Sequence, residues 1–186
     1  EFKSDEDFKN IRIHVDWSNF DPNVPETNKE FAKALKESII PRTVNIFEKL
    51  IKVRRLIKPL KFKKLNLCDM YTVPEYLKKD GVDADLVIFP VIEKTGLFIK
   101  EKAEAAALYC AQSSYDGRPV MGFIEYRPNL LAGDAYHIDY HIWLSIHELT
   151  HVFVFNDSLW HSFVDPVTNK KLGVKNVMKA MTVNGN

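Results

Sequence analysis

The sequence predicts an α/β fold of the α+β kind, in which a mixed sheet is backed by two helices. Segments with strand-like patterns alternate with two long segments of helical pattern along the 186 residues. One of the strand-like segments, 84–92, is nearly all apolar, which is typical of a central strand buried on both faces. The chain has no Gly/Ser-rich linker and no internal repeat, so its length fits one domain.

The remaining elements follow from local patterns. Residues 11–17 alternate apolar and polar side chains, as a half-buried strand does. A backing helix is predicted at about 27–52, opened by a Thr-Asn-Lys-Glu capping-box pattern and kinked at Pro41. Residues 60–67 suit a second strand. An Asp-Gly turn precedes a further strand at about 120–126.

An active-site helix is predicted at about 139–155. Its apolar side chains recur at spacings of four, three and four, which defines one stripe: Ile142, Ile146, Leu149 and Phe153. His147 and His151 lie one turn apart and away from this stripe, so both can direct an imidazole at one Zn²⁺. Glu148 can accept a proton from a water that the metal activates. The alternative is an amphipathic surface helix whose histidines are merely polar.

Composition excludes several classes of function. The net charge of +1 argues against nucleic acid as the main partner. No apolar run reaches the length of about 18 residues that a membrane span needs. The charged N-terminus does not resemble a secretory signal peptide. The basic segment 52–64 is interpreted as the solvated side of a helix end and a strand, with an anionic-ligand patch as the alternative.

The chain resembles the leishmanolysin family of metzincin zinc proteases over most of its length. The residues that carry the resemblance are Ile39-Ile40-Pro41, then Cys110, Ser114, Asp116-Gly117, Pro119 and Gly122, and finally His147-Glu148-x-x-His151. The resemblance implies a metzincin-like twisted sheet of about five strands with a backing helix and an active-site helix. It also implies a strand at 103–111, although that segment suits a helix by propensity.

The same resemblance implies roles for particular residues. His147 and His151 would be zinc ligands and Glu148 the catalytic base. A peptide or protein substrate would lie along 120–126 as the edge strand, since an exposed edge can pair with an extended peptide. The implied substrate contacts are Val120, Met121, Gly122, Phe123 and Ile124.

Cys68 and Cys110 are the only cysteines. In an intracellular protein two isolated cysteines would usually be reduced. The resemblance instead implies a secreted or cell-surface protein in which the two form a disulfide. Membrane association is expected only through parts of the protein absent from this chain.

The chain departs from the metzincin pattern in two ways. Val154 stands where glycine usually ends the active-site helix, so we expect either a longer helix or a differently built turn. A third zinc ligand is also not evident in the sequence. We therefore expect residues 1–186 to be the N-terminal part of a catalytic domain, completed by its C-terminal remainder or a partner chain. Asp157 and His161 are the local candidates for the third ligand.

The sequence thus predicts a zinc-dependent endopeptidase that hydrolyses peptide bonds with a metal-activated water. The second hypothesis is a catalytically inactive, protease-like interaction or structural protein. Val154 and the missing third ligand favour this second hypothesis. The intact Glu148 opposes it, because a chain released from catalysis has no chemical need for that carboxylate.

Overall fold

The computed structural model describes residues 8–62, 66–68, 70–92, 103–127, 137–165, 167–168 and 170–173. Its strands are β1 (Lys9–Asn10), β2 (Ile13–Val15), β3 (Lys52–Val53), β4 (Asn66–Leu67), β5 (Tyr71–Thr72), β6 (Leu86–Ile92), β7 (Ala105–Gln112) and β8 (Pro119–Tyr126). Its α-helices are α1 (Lys29–Ala34), α2 (Ile40–Leu50), α3 (Glu75–Lys79) and α4 (Ile138–Phe153). Over these ranges, no helix has the length and apolar character that crossing a membrane requires.

Four strands form the central sheet in the order β2, β6, β8, β7. Strands β2 and β8 both run parallel to β6, whereas β7 runs antiparallel to β8. Every residue of β6 is buried, as expected for a strand with sheet neighbours on both sides. The predicted α+β class with a mixed sheet is confirmed, with four strands in the described residues rather than about five.

Strand β8 is an interior strand, so the prediction that residues 120–126 form the edge is wrong. It pairs with β6 on one side and with β7 on the other, and residues 120–126 are all buried. Its backbone hydrogen-bonding groups are used within the sheet, which leaves none for a substrate peptide. The predicted substrate contacts therefore lie inside the sheet: Val120, Met121, Gly122, Phe123 and Ile124. In the described part of the chain, the sheet ends on this side at β7, whose residues are mostly half-buried.

Helices α1, α2 and α4 cover one face of the sheet. The predicted helix at 27–52 runs from α1 to α2 through a π-helical segment, Leu35–Ile39. This irregularity lies just before Pro41, which has no N–H to donate and crowds the preceding turn. Helix α4 packs against α2, β7 and β8. In the contact with α2, the rings of Phe47 and Phe153 stack with their centroids 4.7 Å apart.

Gly122 determines how closely α4 approaches the sheet. A Cβ atom added at this position would lie 2.7 Å from Val152 Cγ1 and 2.9 Å from the Leu108 carbonyl oxygen. Carbon atoms do not approach so closely without strong repulsion. The absence of a side chain at Gly122 therefore allows α4 to lie this close to β8 at Val152, the residue after His151.

The opposite face is covered by a layer drawn from residues 60–77. Its buried side chains are Phe62, Tyr71, Val73 and Leu77. Of the strand predicted at 60–67, Leu60 makes an isolated bridge to Val82 and residues 66–67 form β4, while 63–65 lie outside the described residues. A disulfide with Cα atoms 4.9 Å apart joins this layer to β7 through Cys68 and Cys110, which confirms the implied pairing.

Candidate active site

Helix α4 buries one side and directs the two histidines away from it. Its buried residues are His141, Ile142, Ser145, Glu148, Leu149 and Val152. Ile146 and Phe153, which belong to the predicted apolar stripe, are only partly buried. The buried stripe is therefore centred closer to Glu148 than the apolar pattern predicts. His147 is exposed and His151 is half-buried.

The imidazole rings of His147 and His151 lie side by side. Their centroids are 5.1 Å apart and their planes meet at 79°. Nδ1 of His151 lies 2.7 Å from the carbonyl oxygen of Phe155. Because a carbonyl oxygen only accepts, Nδ1 carries a proton, and in the neutral ring Nε2 then keeps its lone pair. His151 is thus held in the tautomer that can coordinate a metal through Nε2.

Glu148 is buried between α4 and β7, with 8 % of its surface exposed. Its carboxylate accepts a hydrogen bond from the backbone N–H of Ala107 in β7. Burial raises the pKa of Glu148, and the neighbouring His147 and His151 together with the Ala107 hydrogen bond offset part of that rise. A carboxylate whose pKa moves toward neutral pH is better matched to proton transfer.

The described residues contain no third ligand for this site. Within them, no group of three His, Cys, Asp or Glu side chains is placed to hold a metal ion. Asp157 and His161, the local candidates for the third ligand, are not placed in a group with His147 and His151. Both residues lie in the 3₁₀-helix Asp157–Ser162, which buries Leu159 and leaves their side chains exposed.

Val154 does not prevent α4 from ending sharply. The helix ends at Phe153, and Val154 has φ −150° and ψ −46°. This negative φ does not require glycine. The N–H groups of Val154 and Phe155 both donate to the carbonyl oxygen of Thr150 at 2.9 Å. The expectation of a differently built turn is confirmed.

Two cavities of the described residues lie elsewhere. One of about 540 Å³ is lined by residues 54–58, Tyr115 and Asp116. Another of about 410 Å³ includes Phe62 and Met121 among its lining residues. Neither includes the two histidines or Glu148.

Sequence reasoning missed the groups that hold this site in place. The Ala107 N–H and the Phe155 carbonyl belong to the backbone, which leaves no mark in a pattern of residue types. The hydroxyl oxygen of Tyr109 in β7 lies 2.7 Å from Ser158 Oγ. Neither side chain belongs to a recognisable motif, so no signal in the sequence pointed to this contact.

A pair of imidazoles one helical turn apart, beside a buried carboxylate and a sheet edge, is the arrangement of a metallopeptidase. A family model described as leishmanolysin matches residues 27–185. The chain therefore belongs to the leishmanolysin family of peptidases. No curated protein matched the chain in a sequence comparison. Leishmanolysins are metallopeptidases, so membership implies a metal cofactor and peptide or protein substrates.

Proposed function

We propose that the protein is a zinc-dependent endopeptidase. One observation carries this proposal: the rings of His147 and His151 lie 5.1 Å apart on α4, beside a buried Glu148 that is hydrogen-bonded to β7. Imidazole nitrogens are common ligands of Zn²⁺ in hydrolytic sites, where three protein ligands leave one position open. We place the third ligand outside the described residues, within which no third side chain joins the two histidines. The rest of the catalytic domain or a partner chain would supply it.

Each residue of the site has a defined task in this proposal. His147 and His151 would hold the metal, His151 through Nε2. Bound zinc supplies Lewis-acid chemistry, lowering the pKa of a water molecule and polarising the scissile carbonyl. Glu148 accepts the proton of the attacking water and returns it to the leaving amine. The Ala107 N–H favours the ionised form of this carboxylate.

The substrate peptide is placed along β7 instead of β8. Strand β7 is the outermost strand on this side of the sheet in the described residues. Its residue Ala107 contacts Glu148, so a peptide added to this edge would pass the catalytic carboxylate. Main-chain pairing of this kind binds extended chains with little dependence on side-chain identity.

We also propose that the protein is secreted or displayed at the cell surface. Both cysteines are in the disulfide between Cys68 and Cys110, and neither is free. Such bonds persist mainly in oxidising compartments. The disulfide supports this location without depending on the catalytic proposal.

The inactive, protease-like alternative loses one of its two arguments. It drew support from Val154, yet the helix ends at this residue with an ordinary negative φ. The missing third ligand alone does not distinguish an inactive protein from an active one whose ligand lies outside the described residues. The family match favours the metallopeptidase.

Glu148→Gln tests the proposal in the full-length protein loaded with zinc. The amide cannot take a proton from water, so hydrolysis of a casein-derived peptide should fall on the order of a hundredfold or more. Zinc content should stay unchanged. Glu75→Gln, an exposed carboxylate on α3, is the matched control and should keep the parental rate. Parental activity in Glu148→Gln, or no hydrolysis by the unmodified protein, would overturn the proposal.

A further inference from the structure

A chain of hydrogen bonds connects the edge strand to the turn after α4. The Asn156 side-chain oxygen accepts from Ser158 N at 3.1 Å and from Ser158 Oγ at 2.6 Å. Ser158 therefore gives its one hydroxyl proton to Asn156. The Tyr109 hydroxyl, 2.7 Å from Ser158 Oγ, must then be the donor in that pair.

The same turn holds His151. Asn156 follows Phe155, whose carbonyl oxygen accepts the Nδ1 proton of His151 at 2.7 Å. The direction of that carbonyl depends on the backbone on either side of it. On one side, the Phe155 N–H donates to Thr150 at 2.9 Å. On the other side, Asn156 is fixed by Ser158.

We propose that Tyr109 and Ser158 are positioning residues for the metal ligand His151. This inference rests on the proposed function, because it takes His151 as a ligand. Through Asn156 they hold the Phe155 carbonyl toward Nδ1, and the carbonyl in turn keeps the proton on Nδ1 and the lone pair on Nε2. Hydrogen-bond partners of a ligating histidine commonly fix its tautomer and ring orientation in this way. The strand proposed to bind substrate thus also sets the coordinating state of the ligand.

The cap of the short 3₁₀-helix does not require the contact between Tyr109 and Ser158. Asn156 caps the 3₁₀-helix through Ser158 N without help from Tyr109. The tyrosine hydroxyl adds a link to β7, the strand whose Ala107 N–H holds Glu148. One strand therefore contacts both the catalytic carboxylate and the turn that orients a ligand.

The direct test is the tautomer of His151 in the metal-free, full-length protein. The ¹⁵N chemical shifts of the ring nitrogens distinguish Nδ1–H from Nε2–H without any dependence on zinc or activity. We expect Nδ1–H in the unmodified protein and a mixture of tautomers in Tyr109→Phe and Ser158→Ala. Ser158→Thr keeps the hydroxyl and should restore the unmodified spectrum. Tyr115→Phe, an exposed tyrosine in the following turn, is the matched control.

Zinc affinity gives the second readout, measured by competition with a chromophoric chelator. Tyr109→Phe should weaken Zn²⁺ binding about tenfold, the lower end of the range for such outer-shell changes. Its melting temperature without metal should match that of Tyr115→Phe, which separates positioning from a loss of stability. Unchanged ring shifts in both Tyr109→Phe and Ser158→Ala would overturn the inference. A protein that binds no zinc but shows the tautomer shift would refute only the proposed function.

Discussion

Strands β7 and β8 are neighbours of equal length, eight residues each, yet they do different work. β8 is flanked on both sides and buried, and its Gly122 allows the close approach of α4 at Val152. β7 is half-buried and contacts the site through Ala107 and Tyr109. The interior strand sets where the active-site helix lies, whereas the outer strand holds the chemical groups in position.

This difference was present in the sequence. The run from Val120 to Ile124 is apolar apart from its glycine, the composition of a strand buried on both faces. The segment 105–112 is rich in alanine and ends in a polar residue, which suits a strand with one free side. Both segments are apolar, and they differ in side-chain size, with small alanines in 105–112 and bulkier side chains in 120–124.

The largest expected effect on stability comes from removing the disulfide that links β7 to the layer of residues 60–77. Replacing both cysteines, as in Cys68→Ser with Cys110→Ser, removes a bridge across 42 residues. The chain-entropy model gives such a loop about 4 kcal/mol of unfolding free energy. Urea unfolding of the oxidised protein and the double variant measures this difference. A loss below about 1 kcal/mol would contradict the role of the bridge in holding the outer strand.

The second largest expected effect on stability comes from enlarging one small side chain in each strand. Gly122→Ala in β8 would bring Cβ within 2.7 Å of Val152, and overpacking of this kind costs about 2 kcal/mol. Ala111→Val in β7 is the control, because Ala111 lines the cavity of about 410 Å³. We expect it to change stability by less than about 0.5 kcal/mol. Equal losses in chemical denaturation would show that close helix packing does not distinguish β8 from β7.

The two strands also offer a matched pair of tyrosines. Tyr126 in β8 is fully buried and lies 2.7 Å from Ser145 Oγ, so Tyr126→Phe should cost about 1 kcal/mol of stability. The Tyr109 hydroxyl in β7 is exposed, so Tyr109→Phe should cost less than about 0.5 kcal/mol. Thermal unfolding of both variants checks this. The reverse order would contradict the division between a packing strand and a positioning strand.

The smallest expected effect is a change in the pH dependence of stability. It comes from His141 on α4, which is influenced by Glu104 just before β7. His141 is buried against Phe31, with ring centroids 4.6 Å apart. Burial lowers the pKa of His141 from its ordinary 6.5, with a partial opposing effect from Glu104 and a further lowering by His137. The folded protein then binds this proton less readily than the unfolded chain, so stability falls as pH drops below about 6.5 and through the folded-state pKa.

His141→Leu should remove that part of the acid sensitivity. The melting temperature of the variant should fall less than that of the unmodified protein between pH 7.5 and 5.5, whatever their difference at pH 7.5. His161→Leu, an exposed histidine, is the control and should follow the unmodified protein. Parallel pH curves for His141→Leu and the unmodified protein would show that His141 is not held neutral by the fold.

Sequence alone predicted the elements better than their arrangement. The helix that carries His147 and His151, and the buried strand β6, follow from apolar periodicity and composition, which are local properties. The order of β7 and β8 in the sheet is a tertiary property. The family resemblance assigned the edge position to β8, whereas β7 occupies it in the described residues. The proton position on His151 depends on one backbone carbonyl after Val154, so residue types could not indicate it. The disulfide pairing came from the resemblance and not from the pattern of residues.

The central claim is that His147 and His151 are the metal ligands contributed by α4. It is tested most directly by the zinc content of the full-length protein after exhaustive dialysis, measured by atomic absorption. We expect about one Zn²⁺ per chain in the unmodified protein and in His161→Ala, and none in His147→Ala with His151→Ala. Zinc retained by the double variant, or lost in His161→Ala, would contradict the account.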